Sequence, residues 1–121
     1  VKKIGLMEER YFLYFEETDW AVRARRHGLK LGYVPKSWVY HKEGASTGSS
    51  PYVRRPSQVS DYYGVKNRLV VTRRLYPWWL PTVYLGMFVT LFKRLLTGQF
   101  DRAGMVAAIM LGVDRPPTRA S

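Results

Sequence analysis

Three carboxylates, Glu16, Glu17 and Asp19, fall within four residues and follow directly on the apolar run Tyr11-Phe12-Leu13-Tyr14-Phe15. Crowding and desolvation make a carboxylate more basic. A more basic carboxylate serves as a general base near neutral pH. The same acids also suit a helix N-terminus, where they complement the macrodipole, so the pattern alone leaves a purely structural role open. His41 follows Glu17 by twenty-four residues. A neutral imidazole there can ligate a metal, or can simply sit at a strand end. The two His and absent Cys offer no complete metal site and no thiolate chemistry.

Around these residues the spacing predicts a helix over 19–27, with Thr18 or Asp19 capping it and Gly28 taking the left-handed position after it. Asp19 and Arg23 lie one turn apart and can pair. Trp20, Ala24 and His27 share one face, which is expected to pack inward. Residues 30–34 and 37–41 read as short extended segments either side of Pro35. Residues 42–57, rich in Ser, Gly and Pro, read as an exposed loop. A second helix is expected over 58–76, capped by Ser57 and stopped by Pro77. A third is expected over 82–97, with Gly98 ending it, and a last one over 101–111. The tail 114–121 reads as frayed.

The chain has 121 residues and 46% hydrophobic content, enough for one small core. Its net charge of +11 favours polyanionic partners: nucleic acid, anionic lipid or phosphate-bearing substrates. No nucleic-acid motif supports the first. Residues 75–92 carry no charge. A helix over 82–97 spans roughly 24 Å, short of a hydrocarbon core of about 30 Å. Arg73, Arg74, Tyr76, Trp78 and Trp79 precede this stretch, and Lys93 and Arg94 close it, as in a helix lying on an anionic membrane surface. Thr82, Gly86, Thr90, Lys93, Arg94 and Thr97 form its polar stripe. Leu85, Phe88, Leu91, Phe92 and Leu95 are expected to enter lipid. A basic membrane-surface module without catalysis is the alternative reading of the whole chain.

The ordered set Gly5 to Trp20, Arg23-Ala24-Arg25-Arg26-His27-Gly28, Tyr33-Val34-Pro35, Val39-Tyr40-His41 and Gly44 resembles family 2 glycosyltransferases of GT-A type. The likeness is to the rhamnosyltransferase-like branch that builds bacterial cell-surface polysaccharide. It covers about residues 4–48. Tyr62-Tyr63, Lys66-Asn67 and Arg68 extend it more loosely. The resemblance implies an α+β piece of a GT-A fold, with short strands beside one helix over 1–48, a loop over 49–57 and a helical extension over 58–121. An apolar surface is expected to lie open near Tyr11–Phe15, where partner strands are missing.

The resemblance also implies roles. Glu17, second of the acidic pair with Glu16, is the base that deprotonates an acceptor hydroxyl, although many relatives carry Asp there. Asp19 orients the site, and Trp20 and Arg23 serve substrate binding. His41 completes coordination of Mg²⁺ or Mn²⁺, held mostly by residues that precede this segment in the family. The implied partners are a nucleotide-sugar donor and a saccharide or lipid-linked acceptor, at the inner face of the cell membrane. Neither an Asp-x-Asp metal motif nor a glycine-rich phosphate loop occurs. The chain opens at Val1 in mid-pattern, so it reads as the acceptor-side fragment of such an enzyme, inactive alone.

Overall fold

The computed structural model describes residues 3–40, 56–113 and 115–117. Four α-helices follow one another: α1 (Glu16–Arg26), α2 (Gln58–Leu75), α3 (Leu80–Leu96) and α4 (Phe100–Met110), with a 3₁₀ turn at Pro77–Trp79 leading into α3.

The expected α+β architecture is overturned. The described residues are helical and contain no strand. Residues 30–34 and 37–40 meet no ladder partner among the described residues. A strand exists only through its inter-strand bonds. Instead a turn closed by the Ser37 N–H donating to the Val34 carbonyl (3.2 Å) bends the segment, and Tyr33, Trp38 and Tyr40 stand exposed. The end of the second expected segment, His41, and most of the expected loop lie outside the described residues.

The helices fall close to where local chemistry puts them. Ser57 caps α2 as expected, its Oγ accepting from the Ser60 N–H at 3.1 Å. Pro77 ends α2, and Pro81 sits in the first turn of α3, where a missing N–H costs nothing. α1 and α3 close on left-handed glycines, Gly28 (φ 75°) and Gly98 (φ 69°). At each, the next residue donates back five positions, Leu29 to Ala24 and Gln99 to Arg94, satisfying end carbonyls.

α1 differs at its start. It begins at Glu16, three residues earlier than expected, so Thr18 and Asp19 lie inside the helix. Its cap is Phe15 in a left-handed conformation (φ 70°), with no side-chain cap bond. Of the face expected to pack inward, Ala24 is buried, Trp20 is half-buried and His27 is exposed.

α2 is the axis of the molecule and is buried on two sides. Tyr62 and Leu69 join Met87 of α3 and Val106 and Ile109 of α4 in the main core. Val71 and Leu75 pack with Tyr11, and against Phe15 and Val22, in a second core. That second core covers Tyr11, whereas Phe12 and Tyr14 remain exposed. Asp61 ties the helices together: its two oxygens accept from Arg94 of α3 (2.6 Å) and Arg102 of α4 (3.0 Å).

Candidate functional site

The acidic turn is held from behind by polar clamps. Tyr14 (φ 65°) and Phe15 (φ 70°) are consecutive left-handed residues, neither of them glycine. Such a conformation costs roughly 1–2 kcal/mol per residue and persists only when neighbours impose it. Asn67 of α2, fully buried, supplies the constraint: its Nδ2 donates to the Leu13 carbonyl (2.6 Å) and the Tyr14 carbonyl (3.3 Å). Phe12 leans on Tyr63 of α2 with ring centroids 5.0 Å apart. In the sequence, Asn67 belongs only to a loose likeness. Its bond reaches across 53 residues, and no local pattern marks such a contact.

The three carboxylates do not form one crowded cluster. Asp19 points inward with no exposure. Arg23 Nε donates to its Oδ2 at 2.8 Å, Arg74 Nε lies 3.7 Å from Oδ1, and the Tyr11 hydroxyl donates to Oδ1 at 3.5 Å. Burial, and then the neighbouring Asp19 charge, push the Tyr11 phenol above its usual range.

Arg23 spends its whole guanidinium on structure. Besides Asp19 it donates to the carbonyls of Ile4 and, at 2.9 Å, Leu6. The Trp20 indole N–H donates to the Gly5 carbonyl at 3.1 Å. Asp19, Trp20 and Arg23 thus fasten residues 4–6 onto α1. Arg74 adds a strap from α2, donating to Glu8 Oε2 at 2.7 Å. That bond, chiefly, holds the Glu8 carboxyl below its usual range and raises Arg74 above its own. Arg26 closes the far end by donating to the Leu75 carbonyl at 2.7 Å.

Glu16 and Glu17 remain at the head of α1. Glu16 is half-buried, and one of its carboxylate oxygens is enclosed without a hydrogen-bond partner among the described residues. Glu17 is exposed. A hollow of about 180 Å³ lies elsewhere, between α2 and the end of α4, with Lys66 and Arg73 on its wall and no carboxylate. The described residues do not fit a divalent-metal site on their own: no group of three His, Asp or Glu gathers among them, and Asp19 is already arginine-paired. His41 lies outside the described residues.

With this geometry in view, comparison with known proteins is informative. The matches are to rhamnosyltransferases. Over 49 residues the chain is 39% identical to the N-acetylglucosaminyl-diphospho-decaprenol L-rhamnosyltransferase of Mycobacterium tuberculosis, covering 40% of this chain and 16% of that protein. Over 73 residues it is 26% identical to the dTDP-rhamnosyl transferase RfbF of Shigella flexneri, covering 59% of this chain and 25% of that one. The matched stretches thus span a quarter or less of these relatives' length. No family model matches, and no solved structure does. The partial matches support a glycosyltransferase-like relation at the family level.

Proposed function

We propose that the chain carries the acceptor-side acid pair of a glycosyltransferase, with Glu17 as the general base. The observation that carries this reading is the contrast within one helical turn. Asp19 is buried and consumed by arginines, while Glu17 projects to solvent from a turn whose strained backbone α2 holds in place. Imposed backbone strain clusters at functional sites, and a backbone fixed in this way would hold an exposed acid in one orientation. Glu17 would take the proton of an acceptor hydroxyl as that oxygen attacks the anomeric carbon and the nucleotide departs. Glu16, beside it, would help orient the acceptor. Asp19, Arg23 and Trp20 act through the backbone they hold.

The names of the partial relatives favour a nucleotide-sugar donor, such as a dTDP-sugar, and a saccharide or diphospholipid-linked acceptor. His41 is the chain's candidate ligand for a divalent cation held mainly by residues other than those described here.

Glu17→Gln in the active enzyme tests the base. Turnover should fall roughly 10²–10⁴-fold, the usual contribution of a general base, with donor affinity unchanged. Near-normal turnover in Glu17→Gln, with loss in a stably folded Glu16→Gln, would move the role to Glu16.

A further inference from the structure

α3 is apolar on both sides, and the described residues cover only one of them. Met87 is buried, and Val83, Tyr84 and Leu91 pack against the main core. The opposite side presents Leu85, Phe88, Val89, Phe92 and Leu96, each more than half exposed. These positions recur at the three- and four-residue spacing of one helical face. A continuous apolar face of this kind marks an interaction site. The expected polar stripe is correspondingly redistributed. Arg94 turns toward the bundle, held by Asp61, and Leu91 packs inward rather than out.

The margins of this face decide what it fits. Taking Leu85 as its centre, Lys93 lies about 80° to one side and Tyr84 about 100° to the other. Lys93 is exposed, and the Tyr84 hydroxyl accepts from exposed Arg73 at 2.7 Å, so a cation borders each side. At the N-terminal end Trp78 and Trp79 are both more than half exposed. From residue 62 to residue 100 the chain holds Lys66, Arg68, Arg73, Arg74, Lys93 and Arg94 and no acidic residue.

We infer that this outer face of α3 seats the protein on an anionic bilayer surface. The apolar row would lie at the acyl boundary, Trp78 and Trp79 at headgroup level, and Lys93 and Arg73 against lipid phosphates. A second copy fits less well, because two such faces would bring like-charged margins together. α3 lies along the surface rather than through it: at 17 residues it is about 25 Å long, and no helix among the described residues is long and apolar enough to cross a membrane. The inference stands apart from the sugar-transfer reading, since its test needs no substrate.

The test is flotation of the full chain with phosphatidylcholine vesicles, with and without about one third phosphatidylglycerol to supply a negative surface potential. Binding should require the anionic lipid and weaken in high salt. Phe88→Asp with Phe92→Asp should reduce partition at least about tenfold, and Lys93→Gln and Arg73→Gln about fivefold each. All four side chains lie on exposed positions, and circular dichroism should confirm that the helices persist. Vesicle binding should also shift Trp78 and Trp79 emission to the blue. Absence of flotation at low salt overturns the inference. So does partition unchanged by Phe88→Asp with Phe92→Asp in a helical protein, or a stable dimer that those substitutions dissociate while the wild type ignores vesicles.

Discussion

If Asp19 is a buried anchor, removing it should cost stability before it costs chemistry. Breaking a buried ion pair by deleting one partner typically costs about 3–5 kcal/mol, because the other charge is stranded. Here the carboxylate has no exposure, while the Arg23 and Arg74 side chains retain 19% and 33%. Arg23 also keeps its bonds to the Ile4 and Leu6 carbonyls. Asp19→Ala therefore falls at the low end, about 3 kcal/mol. Arg23→Met falls nearer 4 kcal/mol, since it leaves an enclosed carboxylate with only Arg74 and Tyr11 near it and frees two carbonyls.

The double variant strands no charge. Its loss should be about 4–5 kcal/mol rather than the sum of the two, a coupling of about 2–3 kcal/mol. An exposed helix pair would give only about 0.3–0.5 kcal/mol. Urea unfolding followed by tryptophan fluorescence and circular dichroism measures the cycle. Coupling below about 0.5 kcal/mol would refute a buried anchor. Turnover supplies the second criterion: Asp19→Asn should lose activity only as it loses stability. A fully stable Asp19→Asn without activity would place Asp19 in the chemistry.

Three further outcomes follow from the contacts. Asn67→Ala frees the Leu13 and Tyr14 carbonyls at a cost of about 1–3 kcal/mol, and should lower kcat while leaving KM for the donor near normal; an unchanged kcat would remove Asn67 as a positioning residue. Because the folded-state pKa of Glu8 is depressed, the Glu8–Arg74 strap contributes stability above the ordinary glutamate range and loses it as pH falls through the lowered value. Acid titration should thus loosen residues 4–15 to proteolysis, and Glu8→Gln should flatten that pH dependence. His41→Ala should shift the divalent-cation titration of activity without altering acceptor affinity; an unmoved titration removes His41 from the site.

Much of the helical plan was legible because its signals are local. Ser57, Pro77, Gly28 and Gly98 act through the backbone groups next to them, and Asp19–Arg23 is a one-turn spacing. Features that depend on distant partners were not legible. Residues 30–40 carry extended-chain residue types, but a strand requires a neighbour, and none is present among the described residues. The start of α1 was misplaced because Tyr14 and Phe15 adopt a conformation that neither residue type announces. It is imposed by Asn67 from α2. Arg94 reads locally as a surface cation, yet Asp61 draws it inward from 33 positions away. For the acid cluster, residue types mark the segment but do not show how each acid is placed. Only burial separated Asp19, turned into the second core, from Glu17, turned to solvent.

The two proposed surfaces meet in α2. Asn67, Arg74 and the Leu75 carbonyl grip the acidic turn and α1. Asp61, Arg73 and the Tyr62–Leu69 row grip α3 and α4. Because both sets lie on one continuous 18-residue helix, the exposed face of α3 and the exposed Glu17 are fixed relative to each other by packed contacts rather than by a flexible tether. An interfacial seat for α3 would then set the height of Glu17 above the bilayer. A lipid-linked acceptor presents its reacting hydroxyl at a height fixed by its diphosphate, so such an arrangement lowers the orientational cost of bringing hydroxyl and base together. Weakening the α2 contacts, as in Asp61→Ala, should therefore impair transfer to a membrane-borne acceptor more than transfer to a soluble analogue. Equal impairment of both would show that the helical extension supports the fold of the site without registering it to the membrane.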